Sequence, residues 1–250
     1  MKSLPLAFAT LLLWATASAV CAAPLSFTSG ERAVAVLELY SSQGCSSCPP
    51  AERWLSALQE RPELWSSLIP LAFHVDYWDE LGWSDPFAAA GHSARQRAYQ
   101  RQGGSSAVYT PGFMLGGQEW RGWFYGQRLA LPDAPRVGRL NLQLQGDDLT
   151  LSFAAERLPA GLKAQVARLG FGLRTAIARG ENAGLSLAHD FVVLSVQQAS
   201  AQDRNHWQVK LQPDPRGERQ ALVAWLSVAD DPTPYQAVGG WLPAAGAGRP

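Results

Sequence analysis

Cysteine is scarce in this chain, with three residues among 250: Cys21, Cys45 and Cys48. That excludes a disulfide-dense scaffold. Methionine is scarcer still, with two residues, one of them the initiator. Charge of one sign is not in excess, because 21 Lys and Arg balance 21 Asp and Glu. No basic field therefore invites nucleic acid or an anionic lipid surface. Beyond the first residues there is no apolar run long enough for a membrane span. Tandem repeats, low-complexity tracts and a glycine-rich phosphate loop are also absent, and no motif calls for a cofactor or a dedicated metal centre.

What is present is a globular composition, 47% hydrophobic and 17% charged. The opening "MKSLPLAFATLLLWATASAVCAAP" has one positive charge at Lys2, an apolar run from Leu4 to Ala17 and small residues after it. That is the layout of a secretory signal over residues 1–23, with cleavage after Ala19, Ala22 or Ala23. A periplasmic or secreted protein is expected. Val20 before Cys21 fits poorly with lipidation, and cleavage after Ala22 or Ala23 removes Cys21 with the signal. Cys45 and Cys48 then remain and can form one intrachain disulfide.

Strand and helix signals alternate up to the proline-rich "LPDAPRVG" at 131–138, which reads as a linker. "AVAVLELYS" is a buried strand, and "PPAERWLSALQE" a helix with Trp54, Leu55 and Leu58 on one face and Glu52 and Arg53 off it. "LIPLAFHVDYW" is a second strand. "SDPFAAAGHSARQRAYQRQGG" is a second helix, with Ser84 or Asp85 as cap and Pro86 in its first turn. "VYTPGFMLGGQEWRGW" gives a strand, a Gly116-Gly117 turn and a return strand. Residues 24–130 thus read as β-α-β-α-β-β. Residues 139–250 read as short strands, led by a hairpin that alternates Leu140, Leu142 and Leu144 against Leu149, Leu151 and Phe153, and an all-β antiparallel sandwich is expected there.

Chemistry concentrates in "LELYSSQGCSSCPPAERWL", where Cys45 and Cys48 stand between a strand and a helix. A Cys-x-x-Cys so placed brings two sulfurs within bridging distance and puts the first near unpaired backbone N–H groups that favour its thiolate. The strand-turn-helix context, with Thr110-Pro111 opening the third strand, resembles the thioredoxin-like superfamily. More closely, "ELYSSQGCSSCPPAE", "FHVDYWD", "YTPGFMLGG" and "RGENAGLSLAHDFVV" resemble an exported bacterial family known as domain of unknown function 1223. The resemblance implies an α/β thioredoxin-like domain ahead of the sandwich. It also implies a cis proline at Pro111 beside the cysteines, and a buried acid near them, for which Glu38 is the candidate.

The residues leave three functions open. One is a thiol-disulfide oxidoreductase acting on protein or small-molecule thiols, with Cys45 attacking, Cys48 resolving and an unidentified redox partner; Thr110, Pro111 and Glu38 complete its site. The second is a binding module with a structural Cys45–Cys48 disulfide. The third is a copper(I) carrier using the two sulfurs, against which the lack of a methionine cluster counts. Cys48 precedes two prolines and is expected to be the more shielded sulfur. His74 and Asp76 share a strand face and read first as structural groups, His92 as solvated on a polar helix with Arg95, and His189-Asp190 as a turn pair.

Overall fold

The computed structural model describes residues 24–244, so the expected signal segment and Cys21 lie outside the described residues. In chain order the elements are β1 (Leu25–Thr28), β2 (Ala35–Ser41), α1 (Cys48–Ser56), β3 (Leu68–His74), α2 (Ala90–Arg101), β4 (Gly112–Leu115) and β5 (Gln118–Glu119). There follow β6 (Arg139–Gln145), β7 (Asp148–Ala154), β8 (Leu162–Phe171), β9 (Leu173–Ala176), β10 (Ser186–His189), β11 (Val192–Ala201), β12 (His206–Lys210), β13 (Arg219–Val228) and β14 (Gln236–Trp241).

The expected α/β thioredoxin-like domain followed by an all-β sandwich is not what this chain forms. It is mostly β, with short helices and a mixed sheet of 12 strands drawn from both halves. The sheet runs β1-β6-β7-β12-β11-β3-β2-β4-β5, with β8, β13 and β14 joined through β11, while β9 and β10 make a separate ribbon. The halves meet where β11 pairs in parallel with β3 at Val192 and Ala72. From the other direction, β1 pairs antiparallel with β6.

The reason is burial. β3 is buried at every position, which suits a strand with neighbours on both edges and elements on both faces. β13 alternates between two cores: Ala221, Val223 and Trp225 pack with Leu37, Leu39 and Phe73, whereas Leu222, Ala224 and Leu226 pack with Leu140, Leu151 and Trp207. β8 does the same with Ala167 and Leu169 on one side and Ala164 and Val166 on the other. These two strands are a wall between the cores and cannot belong to either half alone. The hairpin of β6 and β7 has the expected register, with Leu140 facing Phe153, Leu142 facing Leu151 and Leu144 facing Leu149.

Two local expectations also change. The second helix starts at Ala90, and the Asp85 carboxylate accepts from Gln43 N and Phe87 N in place of capping it. Within that helix, His92 is buried, not solvated, because α2 packs it edge-on against Phe73 and its Nδ1 meets the His74 carbonyl at 2.9 Å. Burial holds its pKa down at about 4.

Trp225 is fully buried in the core it shares with first-half strands, so Trp225→Ala should cost roughly 3–5 kcal/mol in urea unfolding. A loss below about 0.5 kcal/mol, the level of a surface substitution, would contradict the shared wall.

Candidate functional site

β2 ends at Ser41, and the next residues loop across to α1, which opens at Cys48 with prolines in its first turn. Cys45 and Cys48 are joined by a disulfide, with Cα atoms 5.5 Å apart. The loop is braced by backbone groups and by the ribbon of β9 and β10. Asn182 Nδ2 donates to the carbonyls of Gln43 and Cys45 at 2.9 and 3.0 Å, and Ser46 gives both its N–H and its hydroxyl to Glu181. Both cysteines are buried, at 1% and 0% exposure, so the expected inequality in shielding is not visible in this oxidised state. Ser46 and Ser47 are exposed, and the Ser47 hydroxyl lies 3.3 Å from Cys45 Sγ.

Beside the disulfide is a cleft of about 500 Å³ lined by Ser47, Tyr109, Thr110, Pro111, Trp123 and Phe124. The Thr110-Pro111 bond is cis. Of the residues singled out in the sequence, Thr110 and Pro111 line this cleft together with Ser47, the residue between the two cysteines, while neither cysteine is among its lining residues.

Glu38 is placed elsewhere. Its carboxylate accepts from Arg95 through two nitrogens at 2.8 and 2.7 Å, from Tyr40 at 2.8 Å and from Tyr99 at 2.6 Å, and no cysteine is among its partners. Arg95, expected on a solvated face, is nearly buried over the rings of Phe73, Tyr99 and Trp225. The acid that reaches the cysteine region is Glu52. Expected off the inward face of α1, it is buried there because the ribbon covers that side. It follows Cys48 by one turn, where side chains are neighbours about 5–6 Å apart at Cβ.

Glu52 accepts from the Ser41 hydroxyl and from His189 Nδ1. The proton on His189 can be placed. Trp83 Nε1 can only donate, and it holds Gln43 Oε1 at 3.0 Å; Gln43 Nε2 must then face Thr175 Oγ1 and His189 Nε2, each at 3.0 Å. His189 Nε2 accepts, so Nδ1 carries the proton given to Glu52. His189 is thus a buried site residue and not half of a turn pair with Asp190. Next to it, His74 Nδ1 lies 2.6 Å from Asp85 Oδ2, while His74 Nε2 has no hydrogen-bond partner and sits 4.0 Å from Glu52 Oε1. Burial would lower the His74 pKa, but the Asp85 and Glu52 carboxylates outweigh it and raise the pKa to about 9. Burial would likewise raise Glu52, and His189, His74 and Ser41 together bring it below its usual value.

The family of unknown function catalogued as DUF1223 matches residues 36–227, a span that includes the cysteine loop, α1 and the ribbon. The chain belongs to this family. Among solved structures, the DUF1223 protein is similar to AGR_C_4864 from Agrobacterium tumefaciens, with 25% identity over 87% of this chain and 98% of that one and a TM-score of 0.56. HBP35 of Porphyromonas gingivalis, at 13% identity over 88% of this chain and 78% of that one and a TM-score of 0.50, shares the fold alone. No curated protein matches. Among the described residues of the DUF1223 protein, no helix is long and apolar enough to cross a membrane.

Glu52 had a signal in the sequence, the four-residue step from Cys48. Gln43, Glu181 and Asn182 lie in the segments that carry the family resemblance, but tertiary contact alone gives them their roles.

Because Glu38 serves the Arg95 pair, Glu38→Gln should destabilise the protein by roughly 3–5 kcal/mol, the cost of leaving a buried charge unpaired. The reduction potential of the cysteine pair should move by less than about 30 mV. A larger shift would put Glu38 back beside the sulfurs.

Proposed function

We propose that this DUF1223 protein is an exported thiol-disulfide oxidoreductase, periplasmic or secreted, acting on protein or small-molecule thiols. The observation that carries the reading is a disulfide at a strand-to-helix turn whose exposed linker residue, Ser47, opens onto an aromatic cleft. In the reduced protein the Cys45 thiolate attacks one sulfur of a substrate disulfide. The substrate S–S bond breaks, a mixed disulfide forms on Cys45, and the other substrate sulfur leaves as a thiolate. Cys48 then attacks the Cys45 sulfur and releases the reduced substrate. Two electrons pass to the substrate, and a dithiol reductant of the same compartment restores the pair.

The assignment of roles follows from surroundings. Ser47 can donate a hydrogen bond to a Cys45 thiolate. Burial does not separate the two sulfurs, but Cys48 opens α1 with the Glu52 carboxylate one turn on, and that like charge opposes a thiolate there. Thr110 and Pro111 line the same cleft as Ser47, and a substrate chain would lie against them there.

One observation favours a second reading, a binding module with a structural bridge: both cysteines are buried and their loop is clamped by Asn182 and Glu181. Trapping separates the two. Cys48→Ser, exposed to oxidised extract of the export compartment, should accumulate mixed disulfides on non-reducing gels, and Cys45→Ser should not. Absence of adducts from both variants, or equal trapping by both, would give the structural bridge the lead.

A further inference from the structure

We propose that Glu52, His74 and His189 form a binding site for one divalent transition-metal ion of the zinc or cobalt kind, buried beside the disulfide. The residues come from α1, β3 and β10, and their candidate ligand atoms lie within 4.8 Å of one another. All three side chains are buried. Two imidazoles and one carboxylate suit borderline metals such as Zn²⁺, whereas Mg²⁺ and Ca²⁺ select oxygen ligands.

A second, independent observation is His74 Nε2. Buried polar atoms are paired as a rule, yet this one has no partner and faces Glu52 Oε1 across 4.0 Å. A cation about 2.0–2.2 Å from each atom would bridge that gap. The opposite nitrogen is held by Asp85, which is itself pinned by the N–H groups of Gln43 and Phe87. A carboxylate on the far nitrogen fixes the ring and directs Nε2 inward, as outer groups do for metal-bound histidines.

Both histidines set conditions on loading: the proton that the Asp85 and Glu52 carboxylates favour on His74 Nε2 must leave to solvent as the metal takes that lone pair, and His189 must change tautomer. Its Nδ1 now carries the proton shared with Glu52. Giving the Nδ1 lone pair to a metal moves that proton to Nε2, which then needs an acceptor. The Gln43 amide must turn its oxygen to His189 and release Trp83, so the Trp83 indole reports occupancy. No sulfur takes part, and the site stands or falls apart from the redox reading.

The test uses the full exported chain with its disulfide intact and Co²⁺ as probe, followed by dialysis. One Co²⁺ per chain should be retained, with visible absorption of a four- or five-coordinate ion that Zn²⁺ displaces, and with a change in tryptophan emission that Trp83→Phe removes. Glu52→Gln and His74→Gln should lose the ion, and Asp85→Asn should weaken affinity roughly 10–100-fold. His206→Gln, at the exposed pair with Asp203, and the Cys45→Ser/Cys48→Ser double variant should both retain it. Failure of the wild type to hold an ion, retention by Glu52→Gln and His74→Gln, or loss in His206→Gln or in the double cysteine variant would each overturn the proposal. If the buried variants do not fold, the wild type decides by itself: Zn²⁺ must shift the ring resonances of His74 and His189, and unmoved resonances overturn the proposal.

Discussion

The structure depends on a wall of two strands, β8 and β13, that send residues from both faces into buried cores. β13 is buried over seven successive residues and feeds large side chains alternately into the two cores. At about 25 cal/mol per Å² of apolar surface, burying both faces of such a strand favours keeping the two cores together. The wall also explains why β11 is long and irregular: a register shift between Val193 and Ser195 lets it pair with β8 along most of its length while meeting β3 at one end and β12 at the other.

The site is a consequence of that arrangement. The ribbon of β9 and β10 leaves the wall at the end of β8 and returns to it at the start of β11, and β11 is anchored beside β3. Residues 41–52 and 174–189, distant in sequence, are thereby pressed together. The ribbon and the loop that joins its strands supply Thr175 to Gln43, Glu181 to Ser46, Asn182 to the Cys45 carbonyl and His189 to Glu52. Glu52 and Asp85 can stay ionised in a buried place because each accepts several hydrogen bonds and faces an imidazole.

Much of this was legible in the sequence. The strands before and after Cys45/Cys48, a helix with prolines in its first turn, and the hairpin of β6 and β7 follow from local pattern and turn chemistry. The cysteine pair announced itself by spacing. What the pattern could not carry was which strand pairs with which: an all-apolar run such as "ALVAWLSV" tells of burial on both faces but not of what lies there. The two-domain expectation failed at that point. Polar residues were misread for the same reason. Glu38 reads as an acid for the cysteines until Arg95, Tyr40 and Tyr99 claim it, His92 and Arg95 look solvated until the core encloses them, and His189 looks like half of a turn pair until it meets Glu52.

The central claim is that the Cys45–Cys48 disulfide is a working couple and not a staple. A bridge between residues three apart closes too short a loop to constrain the unfolded chain much. Equilibration of the folded protein against glutathione or dithiothreitol buffers, read by thiol alkylation, measures the reduction potential directly. The account predicts a value between about −270 and −120 mV; a value below about −300 mV, typical of structural disulfides, would contradict it.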